Sequence, residues 1–127
     1  MKTATPADWK TTPMPEARRA VDFTRTFRPH EVAKLRRGRI PEQMEDKWFV
    51  YWRDAEEGSA TDGSAELFFH RSWTGLCVFI VTVVVDDDGG GRATRAVANG
   101  DVEQYRGSEE SDRSLVGQLI DGLLARR

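Results

Sequence analysis

Leu67-Phe68-Phe69-His70-Arg71-Ser72-Trp73-Thr74-Gly75-Leu76-Cys77-Val78-Phe79-Ile80-Val81-Thr82-Val83-Val84-Val85 is the stretch that decides the fold. Leu67 to Trp73 is rich in aromatic residues and reads as a strand. Thr74-Gly75 reads as a tight turn. Leu76 to Val85 follows as a strand that is apolar at both parities, the mark of a central strand covered on both faces. Two strands joined by so short a turn run antiparallel.

Working upstream, Lys47 to Asp54 has the same aromatic and β-branched character and reads as the strand before the pair. Ala55 to Ser64 is polar and glycine-containing, and is expected to be an exposed hairpin loop. Ile40 to Asp46 reads as a turn. Pro29 suits the first turn of a helix, where Glu31 meets the positive end of the dipole. That helix runs to about Arg37 and stops at Gly38. Ala20 to Phe27 alternates as a short strand. Residues 1–18, with Pro6, Pro13 and Pro15 and little apolar periodicity, are expected to form a poorly ordered tail.

Downstream, Asp86 to Gly91 is a turn, and Arg92 to Asn99 a strand of modest quality expected at an edge. Leu115, Val116, Leu119, Ile120, Leu123 and Leu124 recur at three- and four-residue spacing. They predict a helix from Arg113 to about Ala125, capped by Ser111 or Asp112. The order β-α-β-β-β-β-α predicts an α+β domain over residues 19–127: an antiparallel sheet of about four to five strands, with the C-terminal helix and the short N-terminal helix packed on it.

The chain has 127 residues, enough for one domain, and a net charge of -2. That balance gives no general attraction for phosphate backbones, so no nucleic acid partner is expected. A lone cysteine, Cys77, permits no internal disulfide and suits a reducing cytoplasm. Leu76 to Val85 is too short to span a bilayer, and Met1 to Pro15 holds no apolar leader core, so no membrane association is expected.

The chemistry-bearing residues crowd into two segments, Glu45-Asp46-Lys47-Trp48 and His70-Arg71-Ser72-Trp73-Thr74. Strand alternation places Leu67, Phe69, Arg71 and Trp73 on one face and Phe68, His70 and Ser72 on the other. Lys47, Phe49, Tyr51 and Arg53 oppose Trp48, Val50 and Trp52. An arginine among aromatics suits a planar anion, because its guanidinium binds bidentately and stacks on rings. Lys47, Trp48, His70, Arg71, Ser72, Trp73 and Thr74 are therefore the candidate ligand-binding residues. The structural alternative pairs Arg71 with Glu45 or Asp46 and locks the turn to the strand.

His70 with Glu45 or Asp46 is the candidate acid–base set. A Ser72–His70 nucleophile pair is disfavoured: residues two apart on a strand stand roughly 7 Å apart, and no nucleophile elbow is present. His30, His70 and Cys77 are too few for structural zinc, and Cys77 reads as core. Asp86-Asp87-Asp88-Gly89-Gly90-Gly91 lacks the alternating ligand pattern of a calcium loop. No glycine-rich phosphate loop precedes a helix. No metal and no cofactor are expected.

The blocks Met44-Glu45-Asp46-Lys47-Trp48-Phe49 and Leu67-Phe68-Phe69-His70-Arg71-Ser72-Trp73-Thr74-Gly75 resemble the signature of a family of small, mostly uncharacterised bacterial proteins. Leu115-Val116-Gly117-Gln118-Leu119-Ile120-Asp121-Gly122-Leu123-Leu124 is similar to that family's closing helix. The family is associated with ADP-ribosylglycohydrolase-type proteins, and the resemblance implies a role near ADP-ribose or NAD chemistry. It carries no catalytic residues over to this chain.

Three functions compete. A binding or accessory domain would recognise an anionic small molecule or a partner protein. A small enzyme would use His70 with Glu45 or Asp46 while Arg71 holds an anionic substrate. A structural signature would use the dense residues only as a folding lock. An open pocket with unpaired donors favours the first two, and a buried, fully paired cluster the third.

Overall fold

The computed structural model describes residues 3–54 and 64–125. Its strands are β1 (Arg18–Val21), β2 (Arg25–Phe27), β3 (Trp48–Arg53), β4 (Ser64–Arg71), β5 (Cys77–Val85) and β6 (Gly91–Asn99). Its α-helices are α1 (Pro29–Arg37) and α2 (Glu109–Leu124), and Pro6–Asp8 form one 3-10 turn. The expected hairpin loop over Ala55 to Ser64 lies, up to residue 63, outside the described residues.

All pairings between the strands are antiparallel, in the order β1-β6-β5-β4-β3, with β2 also beside β6. The α+β architecture with helices on an antiparallel sheet is the one expected from the sequence. β5 is central, as its apolar character at both parities requires: Phe79, Val81 and Val83 face the helices, and Cys77 and Ile80 the opposite side.

Two strand placements differ from expectation. The strand expected over Ala20 to Phe27 is broken into β1 and β2, which lie end to end along β6. From Val21↔Ala96 to Arg25↔Ala93 this edge advances four residues while β6 advances three. The extra residue bulges the edge, and Phe23 in the break is buried in the helix-side core. β6 in turn is an interior strand and not the edge. Its helix-facing residues are Ala93, Ala96 and Ala98, all buried. Their small size made the segment look weak as a strand.

α1 begins at Pro29, with Glu31 accepting from the Arg28 amide at 2.9 Å. It ends at Gly38, whose φ is 63° and where a Cβ would fall 2.1 Å from the Val50 carbonyl oxygen. Only glycine fits there. α2 starts at Glu109, one turn earlier than expected. Ser108 is its cap, accepting from the Ser111 amide at 3.2 Å, while Ser111 Oγ accepts from the Ser108 amide at 2.9 Å. Asp112 is thereby freed from capping. Val116, Ile120 and Leu123 are buried, and Leu115, Leu119 and Leu124 pack at the margin.

Residues 3–17, where composition suggests a poorly ordered tail, lie as a strap across the sheet face opposite the helices. Ala4 and Met14 are buried there with Phe49, Tyr51, Phe68, Cys77 and Ile80. Thr12 bridges Leu76, and the Ala4 amide donates to the Arg37 carbonyl at 2.8 Å. Trp9 stacks on Phe49, with centroids 6.3 Å apart. Dispersed anchors of this kind leave no periodicity for a sequence reading to find.

Candidate functional site

The two signature segments meet at one end of the sheet because β3 and β4 pair there, Trp48 opposite Arg71 and Phe49 opposite His70. β4 stops at Arg71. Ser72 to Gly75 then turn back into β5, with the Gly75 amide donating to the Arg71 carbonyl at 2.8 Å and Gly75 at φ 80°.

This turn is tied to the one before β3. Ser72 Oγ donates to the Asp46 carbonyl at 2.8 Å, and the Ser72 amide to the Lys47 carbonyl at 2.9 Å. Trp73 Nε1 donates to the Met44 carbonyl at 3.2 Å, and Trp9 Nε1 to the Ser72 carbonyl at 2.7 Å. Ser72 is buried and spent on this tie, so its hydroxyl does not belong to an open ligand surface.

Asp46 does not meet Arg71. Its Oδ1 pairs with Arg39 Nη2 at 2.5 Å, and its Oδ2 accepts from the Glu42 amide at 3.0 Å. The Glu42 amide and the Arg39 guanidinium hold the Asp46 carboxyl below its ordinary value. Arg39 reaches it because Arg39 pairs with Val50 along the outer edge of β3. That neighbour is 7 residues away in sequence and was hidden by the intervening turn. Glu45 is exposed. The expected Arg71–Glu45/Asp46 contact is therefore replaced by Arg39–Asp46.

His70 does not meet Glu45 or Asp46 either. It lies on the strap side, stacked on Tyr51 at 5.7 Å between centroids, with Nδ1 2.9 Å from the Gly75 carbonyl oxygen. A carbonyl only accepts, so Nδ1 carries the proton and Nε2 is an acceptor. Burial pushes the imidazole below its ordinary value. The acid–base set of His70 with Glu45 or Asp46 is not assembled.

Arg71 emerges on the helix side and is exposed. Its guanidinium lies 5.1 Å from the centroid of the Trp48 ring, and no carboxylate pairs with it among the described residues. Lys47, Arg71, Trp73 and Thr74 line a cavity of about 240 Å³. Trp73 is 64% exposed and Met44 beside it 74%. Of the seven candidate binding residues, Lys47, Trp48, Arg71, Trp73 and Thr74 thus gather at one surface, while His70 and Ser72 point elsewhere.

Sequence reasoning missed a buried network near this surface. Asp112, fully buried, accepts from Tyr105 Oη at 2.6 Å and pairs with Arg19 Nη1 at 2.5 Å. Burial, then Asp112, pushes the Tyr105 phenol up, and the Arg19 and then the Arg71 charge pull the other way. Tyr105 packs edge-on against Phe79, which stacks on Trp48. Arg19 is 93 residues from Asp112, and only the fold joins it to the Tyr105–Asp112 pair.

Among the described residues no group of His, Cys, Asp and Glu is arranged to hold a metal ion, and no helix is long and apolar enough to cross a membrane. Set against protein-family models, curated proteins and solved structures, the chain matches none.

Proposed function

We propose that this chain is a small binding domain that takes up an anionic molecule on the surface formed by Lys47, Arg71, Trp73 and Thr74. One observation carries the reading: the Arg71 guanidinium is exposed beside Lys47, lies over Trp48, and has no carboxylate partner among the described residues. A guanidinium held against a ring presents its remaining N–H fork outward, the geometry that binds phosphate or carboxylate bidentately. Lys47 adds a second cation and Thr74 a hydroxyl. The exposed Trp73 indole offers a face for a planar group such as a base. The family resemblance makes ADP-ribose the first ligand to try, and the lone buried Cys77 suits a cytoplasmic setting.

The test is calorimetric titration with ADP-ribose, AMP, inorganic phosphate and uncharged adenosine. The phosphorylated ligands should bind and adenosine should not, and Arg71→Lys should weaken binding about tenfold, a loss of roughly 1.4 kcal/mol. Equal binding of adenosine and AMP, or no binding of any anion at millimolar concentration, would overturn the reading.

The same surface supports a second reading, an acidic protein partner. Trp73 and Met44 are exposed side by side, and Trp, Met and Arg are enriched at interface centres. Under this reading a carboxylate-bearing peptide would outcompete the nucleotides.

A further inference from the structure

The opposite face of the sheet holds a second cavity, of about 370 Å³, between the N-terminal strap and the strands. Met14 forms part of its strap wall, and Tyr51, Phe68, His70, Cys77 and Ile80 line the sheet side. Tyr51 and Phe68 are stacked 4.8 Å apart with their planes 4° from parallel, and His70 continues the row on Tyr51. The cavity is therefore of ligand size, with an aromatic floor and a mixed rim to which Thr11, Arg18, Arg53 and Glu66 contribute.

Its charges are already engaged. Arg53 pairs with Glu66, and Arg53 also covers the Phe68 ring at 4.9 Å. Arg18 donates to the Pro15 and Met14 carbonyls. The Cys77 thiol, pushed up to about 12 by burial, is neutral and donates to the Phe79 carbonyl. One buried polar atom of the lining is left. His70 is 2% exposed, and its Nε2 is the buried side-chain nitrogen or oxygen that lacks a partner among the described residues. Because Nδ1 holds the proton, Nε2 requires a donor. A buried acceptor left unmatched is costly, and a site built around one discriminates strongly for ligands that supply the donor.

We infer that the cavity under the strap is a binding site for a neutral, phenol-like aromatic molecule whose hydrogen-bond donor meets His70 Nε2. The aromatic floor accepts the ring, Arg53 and Glu66 neutralise one another, the Arg18 donors are occupied by main-chain carbonyls, and His70 sets the requirement for one O–H or N–H. This site lies on the other side of the sheet from Arg71 and stands whether or not that surface binds anions.

The experiment is a nuclear magnetic resonance titration of the full chain, labelled with nitrogen-15, with p-cresol and with toluene, which differ only in the hydroxyl. p-Cresol should shift the His70 Nε2 signal and the amides of Tyr51, Phe68 and Cys77, and should bind at least tenfold more tightly than toluene. Ile80→Trp, which fills the slot, should abolish these shifts. Should that variant fail to fold, the p-cresol to toluene ratio on the native chain still decides. Equal affinities, shifts confined to the Trp73 surface, or no shift at millimolar p-cresol would overturn the inference.

Discussion

Ser72 and Asp46 are joined by a hydrogen bond of 2.8 Å from the Ser72 hydroxyl to the Asp46 main-chain carbonyl, and this bond ties together the turns that flank the β3–β4 pair. Ser72 also donates through its amide to Lys47 and accepts from the Trp9 indole. One buried residue therefore connects the turn before β3, the turn after β4 and the strap. Ser72→Ala removes only the hydroxyl and leaves the carbonyl without that donor. It should destabilise the chain by about 1 kcal/mol, the net worth of a typical hydrogen bond. An unchanged urea midpoint would show that the tie contributes nothing.

Asp112 should matter more. It is fully buried between the Arg19 guanidinium and the Tyr105 hydroxyl. Hydrogen bonds to a charged group are worth about 1.5–3 kcal/mol each, and removing the carboxylate strands both partners. Asp112→Ala should therefore lower stability severely against a total of about 5–15 kcal/mol. Tyr105→Phe should cost less, because Asp112 keeps Arg19. Equal midpoints for the two variants in chemical denaturation would contradict this ordering.

His70 makes a prediction about pH. Burial lowers its folded-state value below the ordinary 6.5, so the fold favours the neutral ring. On acidification the unfolded chain takes up this proton first, and stability falls with it. The contribution is complete above about pH 6.5 and is lost as pH drops through the folded value. His70→Phe, which cannot titrate, should show a flatter stability profile than the native chain between pH 7 and pH 5. Parallel profiles, measured by urea unfolding, would mean that His70 is not held neutral.

The architecture was legible because its signals are local. The spacing of Leu115 through Leu124 gave α2, Pro29 and Gly38 bounded α1, and the doubly apolar Leu76 to Val85 gave the central strand. Three features escaped because they leave no periodic signal of bulky apolar residues. The strap is held by single anchors, Ala4, Trp9 and Met14, each matched to a pocket made elsewhere. β6 presents alanines to the helices, so its packing signal is small size rather than bulk. Asp46 chose Arg39 over Arg71 because β3 takes Arg39 as its outer neighbour through Val50, a pairing that no periodicity reveals. The two signature segments do meet in space through the β3–β4 pairing, but alternation alone did not separate their tied residues from their exposed ones. β4 ends at Arg71, and past that point the period-two rule no longer assigns faces.

Arg71 separates the proposed anion surface from the tie beneath it. Its side chain is exposed and touches Trp48 through its guanidinium, a contact worth about 0.5–1 kcal/mol at such a site. Arg71→Lys keeps the charge and loses the planar fork. It should move the unfolding midpoint by less than Ser72→Ala does, while weakening anion binding about tenfold, or roughly 1.4 kcal/mol. Ser72→Ala should do the reverse, lowering stability and leaving the affinity of the folded chain near its native value, because Ser72 is buried away from the Lys47–Arg71 cavity. Measuring both variants by urea unfolding and by calorimetric titration crosses the two readouts. If Arg71→Lys costs as much stability as Ser72→Ala and leaves anion affinity intact, Arg71 belongs to the tie and the surface it shares with Lys47 is not a binding site.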